Sequence, residues 1–178
     1  MLLVDRAAVG TAAFARLQRD GLIHEVVGPR ALPLDIPSTR GTRWAVVETF
    51  VPRDAWLTGL AALWIEGICA PPWSLDIAGR RGRHTTAATE TAPTLVMHSG
   101  SAGIPPVGAR GPRTTGVTRA CLDALMHSPA VDALPAVASA LRTGSTTCAR
   151  LADTLMLVDR HTHGHARVGA LVGALAEI

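Results

Sequence analysis

The chain has 178 residues, 48% of them hydrophobic and only 3% aromatic, with a net charge of +3. That is enough apolar matter for a core of Ala, Leu and Val in one domain or two small ones, and it excludes a disordered chain. All 17 basic side chains are arginine, so each cation is a planar fork suited to phosphate or guanine rather than a compact ammonium.

The positive balance permits contact with a polyanion without demanding it. Cys69, Cys121 and Cys148 are odd in number and form no CxxC pair, which reads as reduced thiols. The start, MLLVDRAAVG, lacks the apolar run of a signal peptide. The most apolar stretch, residues 55–65, is shorter than the roughly 20 residues that a bilayer crossing needs. The expectation is a soluble cytoplasmic protein with no membrane partner.

In chain order, residues 11–20 (TAAFARLQRD) have helical spacing. Phe14 and Leu17, joined by Ala13, fall on one face, and Arg16 and Arg19 on another. Gly21 follows as a glycine cap. LIHEVV alternates, meets a turn at Gly28-Pro29, and ALPL returns as a second strand. A helix followed by a hairpin with a basic tip at Arg30 is how a winged helix-turn-helix finishes. A helix and hairpin that merely pack together would read the same.

Residues 35–54 are punctuated by Pro37, Gly41 and Pro52, and WAVVETFV inside them reads as a strand or a short helix. Asp54 is placed to cap a helix in which Trp56, Leu57, Leu60, Leu63 and Trp64 take core spacing. Residues 74–78 and 94–98 read as strands on either side of GRRGRH. Residues 99–117 are rich in Gly, Pro and Ser and read as a loop. Helices are then expected over 118–127, opened by a Thr cap, and over 131–142, 147–159 and 165–176. Val168, Leu171, Val172 and Leu175 form a stripe on the last helix, which closes the core or faces a second subunit.

Arg80, Arg81 and Arg83 in GRRGRH can each fork onto a phosphate and release counterions. A solvated turn is the plain alternative. HTHGH puts His161, His163 and His165 at alternate positions, a spacing that suits a metal in an extended segment. No fourth ligand is evident, and a histidine-rich turn is the preferred reading. No GxSxG, HExxH, P-loop or GxGxxG pattern occurs. Asp76, His98 and Ser99 carry the residue types of a catalytic triad, but nothing in their spacing assembles them. An enzyme, a cofactor and a bound metal are therefore not expected.

In their order and spacing these segments resemble the AbiEi-type antitoxins, the DNA-binding halves of type IV toxin–antitoxin pairs. The likeness runs over roughly residues 10–175. It is carried by ARLQRDGLIHEVVGPRALP, by LAALWIEGICAPP (with Glu66 where a histidine is common), by LDIAGRRGRH, by LVMH, and by TTGVTRACLDAL with Arg119, Leu122 and Asp123. The resemblance implies a repressor of its own operon that neutralises a nucleotidyltransferase-like toxin. The expected fold is α+β: a winged-helix-like unit over residues 1–50, shortened at its first helix, then a mixed region over 51–178 with a small sheet and a C-terminal helical bundle. On this expectation Thr11, Arg16 and Arg19 face the major groove, Arg30 tips the wing, and Arg80, Arg81 and Arg83 hold phosphate. Expected partners are double-stranded DNA and a cognate toxin, with a homodimer as a further option. The runner-up is a protein-interaction module that binds a toxin or other regulator without reading DNA.

Overall fold

The computed structural model describes residues 3–79, 85, 86, 89, 91–98 and 111–176. The fold is mixed α+β, with two small sheets and eight helices among the described residues.

The first unit runs β1 (Val4–Asp5), α1 (Arg6–Val9), α2 (Thr11–Arg19), β2 (Ile23–Val27) and β3 (Arg30–Pro33). The strands form an antiparallel sheet in the order β1-β3-β2. A glycine at φ +85° (Gly10) separates the two helices, and Gly21 at φ +67° stops α2; side chains are strained in this left-handed region. Phe14 is the one fully buried residue of α2. It packs with Ile23 and Ala31 into a small cluster edged by Val4, Leu17 and Val26. The expected helix and hairpin are thus present.

WAVVETFV resolves into helix α3 (Arg40–Val47) and a 3-10 turn at Glu48–Phe50. A reciprocal cap decides it: Thr39 and Thr42 each accept the other's backbone N–H. Trp44, Val46 and Val47 face inward and join the main core, which also takes in Val27 and Leu32.

Asp54 caps no helix. Residues Ala55–Leu57 are strand β4, and α4 begins only at Gly59 and runs to Ile65. The pairing Ala55↔Gly79, Trp56↔Ala78 and Leu57↔Ile77 holds the segment extended. Gly59 at φ +53° then turns the chain into the helix, at a point where a Cβ would stand 3.1 Å from the Asp76 carboxylate. Leu57, Leu63 and Trp64 are buried as expected, whereas Trp56 and Leu60 are half-buried.

Strand β5 (Ser74–Gly79) pairs with β4 on one side and runs parallel to β7 (Thr94–His98) on the other. The short β6 (Thr85–Thr86) closes the order β4-β5-β7-β6. Helix α5 (Val117–His127) crosses α4 and is buried from Arg119 through Met126. Its N-cap is Gly116 rather than a threonine; Thr118 lies inside the helix and hydrogen-bonds Thr146 at 2.9 Å. Helices α6 (Ala130–Arg142), α7 (Cys148–Met156) and α8 (His165–Ala176) follow. Val168 and Val172 of α8 are buried in the main core and Leu171 packs against it, so the last stripe closes the core.

No described helix is long and apolar enough to cross a membrane. No disulfide joins the cysteines. Burial pushes the Cys121 thiol up to about 12 and the Cys69 thiol up to about 11, which keeps both protonated at neutral pH.

Candidate functional site

Helix α2 presents three of the residues assigned to DNA. Thr11 opens it and is exposed. The side chains of Arg16 and Arg19 are 77% and 76% exposed, and both lean on Asp20, at 3.4 and 3.8 Å. Ion pairs this exposed contribute roughly 0–1 kcal/mol, so a phosphate can compete for either arginine. Phe14, on the opposite face, fixes the helix to its sheet.

Arg30 directly follows the hairpin turn, but its guanidinium is engaged within the protein. Its Nε donates to Asp5 Oδ2 at 3.1 Å, Nη1 donates to Thr49 Oγ1, and the guanidinium lies 4.8 Å from the centre of the Phe50 ring. Asp5 is itself held below the usual carboxylate range by the Ala7 amide, with Arg30 adding to the effect. The turn before Arg30 is docked as well. Pro29 is buried, and a Cβ on Gly28 would stand 2.9 Å from Pro93. Arg80, Arg81 and Arg83 lie outside the described residues.

Other arginines are also spent inside the protein. Arg43 is buried and donates to Ile65 O through Nε and Nη2, at 3.0 and 2.9 Å, and to Ser38 through Nη1. Arg113 donates to the Val51 and Pro52 carbonyls, and Arg167 to Leu125 O. Arg119 forms an ion pair with Asp123 at 2.8 Å, with side chains only 6% and 3% exposed. Asp123 also accepts from Thr58 Oγ1, which ties α5 to the start of α4. The RACLD segment of the family resemblance is therefore a buried brace.

A second cluster went unassembled in the sequence. Parallel pairing of β5 and β7 brings His98 Nε2 to 2.8 Å from Asp76 Oδ1. An ionised carboxylate only accepts, so Nε2 carries the proton. His98 Nδ1 is buried without a hydrogen-bond partner among the described residues. The His98 ring stacks on His127, centroids 4.2 Å apart and planes 14° apart. Asp76 and His127 border a cleft of about 780 Å³ between residues 68–74 and α6. Ser99, the remaining triad type, lies outside the described residues. The sequence did hold a signal: Asp76 and His98 are the only ionisable residues in two otherwise largely apolar strands, and such residues are rarely buried unless paired.

Neither a protein-family model nor a curated protein matches the chain.

His161, His163 and His165 form a turn into α8. Asp159 Oδ1 accepts from the His161 amide at 2.9 Å, and His165 Nε2 lies 3.3 Å from Leu155 O. Among the described residues, no three His, Cys, Asp or Glu side chains gather as a metal site.

Proposed function

We propose that the protein is a DNA-binding transcriptional regulator of the AbiEi antitoxin type, with α2 as its reading helix. One observation carries this: Arg16 and Arg19 stand exposed on a helix that Phe14 anchors to a three-stranded antiparallel sheet. A helix laid in the major groove needs this division between a fixed back and a free cationic front. Because Arg30 is engaged elsewhere, groove contact falls to Thr11, Arg16 and Arg19. Arg80, Arg81 and Arg83 are assigned to phosphate on sequence alone. In this role the protein represses its own operon and neutralises a nucleotidyltransferase-like toxin.

The test is binding to its own upstream DNA, followed by fluorescence anisotropy over a salt series. Replacing both Arg16 and Arg19 by Ala is expected to flatten the slope of log K against log salt by about one unit for each phosphate that is no longer neutralised. Unchanged affinity and slope would overturn the assignment of α2.

A second role, as a protein-interaction module, draws on a different surface. Met156 and Leu157 at the end of α7 are 71% and 76% exposed, an apolar pair suited to a partner protein such as a toxin. Failure of the toxin to co-purify with a folded Met156→Ser, Leu157→Ser variant, with no shift of upstream DNA by the wild type, would support it; retention of the toxin would remove it.

A further inference from the structure

Helix α6 turns an unusual face to solvent. Ala130, Val131, Leu134, Pro135 and Ala138 are all exposed, Val131 to 77% and Leu134 to 45%. The two charges that flank this strip are Asp132, in the first turn, and Arg142, in the last. They are ten residues apart, or about 15 Å along the axis. Neither forms an ion pair among the described residues. Trp73, 99% exposed, lines the same cleft as Val131, Asp132 and Arg142.

An indole left almost wholly in water beside an apolar helix face gains nothing from folding. Such patches mark contact surfaces, and tryptophan is the residue most often found at their energetic centre. The charges identify the occupant. A strip with an acid at one end and an arginine at the other is complementary to itself under a two-fold axis. Laid antiparallel on a second α6, Asp132 meets the partner's Arg142 and Arg142 meets the partner's Asp132. The small residues Ala138 and Ser139 near the midpoint let the two helices approach closely.

We propose that this face is a homodimer interface, built on antiparallel α6 helices with the two Trp73 indoles closing over them. It holds whether or not the chain binds DNA. Apolar burial supplies the affinity, and the charges set the antiparallel register, since exposed pairs add little energy but like charges oppose docking.

Light scattering coupled to size exclusion tests it on the full chain. The wild type is expected at about twice the monomer mass of 18.6 kDa. Asp132→Arg and Arg142→Asp should each run as monomers, because each dimer would then hold two like-charged contacts. Mixed in equal amounts they should form a heterodimer, because every reversed charge then faces its opposite; this recovery also shows that both variants are folded. Trp73→Ala should weaken the dimer by about 30-fold or more, the size expected of a central indole. A monomeric wild type, or a dimer that persists in both charge variants, would overturn the proposal.

Discussion

The N-terminal unit and the α4–α5 centre use the same residue type in opposite ways. In the first, Arg16 and Arg19 extend into solvent from a helix secured mainly by Phe14. In the second, Arg119 is enclosed with Asp123, and Arg43 donates to a backbone carbonyl. The contrast teaches that cationic character in this chain does not measure polyanion binding. An arginine enclosed with its acceptors, such as Arg119, is not presented to phosphate; one resting on an exposed aspartate still is.

The largest effect should come from breaking the enclosed pair. Arg119→Ala leaves the Asp123 carboxylate buried with, among the described residues, only the Thr58 hydroxyl, and is expected to cost about 3–5 kcal/mol in denaturant unfolding. A cost below about 1 kcal/mol would mean that water reaches the pair. Next comes Phe14→Ala, expected to cost about 3 kcal/mol. Its damage should stay local: amide exchange should rise across residues 4–33 and remain slow in α5. Equally fast exchange in α5 would show that the two regions unfold as one.

The smallest effect is alkaline. Burial raises the Cys121 and Cys69 thiols above their ordinary value of 9.0, so the folded state favours the protonated form. Their contribution is complete below pH 9, the unfolded value, and is lost as pH climbs toward the folded values of about 11 and 12. Stability should therefore fall above pH 9, and less steeply in Cys121→Ala. The same slope in wild type and variant would remove the thiols as its cause.

Periodicity and glycine or proline punctuation made α2, the β2–β3 hairpin, β5, β7 and the helices after residue 116 legible. Where two patterns overlapped, it failed. Trp56 and Leu57 continue the helical phase of Leu60, Leu63 and Trp64, yet they pair as strand β4, because the competing partner, β5, lies some twenty residues away. Arg30 looked exposed because it follows a turn, but its partners Asp5 and Thr49 are distant in sequence. Asp76 and His98 meet only through the register of two parallel strands, which no local spacing reveals.

The most direct test of the distinction between free and engaged arginines compares three proteins on the same upstream DNA over a salt series: the wild type, Arg16→Ala with Arg19→Ala, and Arg30→Ala. The expected result is a flattened salt slope for the α2 pair, with Arg30→Ala retaining the wild-type slope and losing only about 1 kcal/mol of stability. A flattened slope in Arg30→Ala with the α2 pair unaffected would contradict the account.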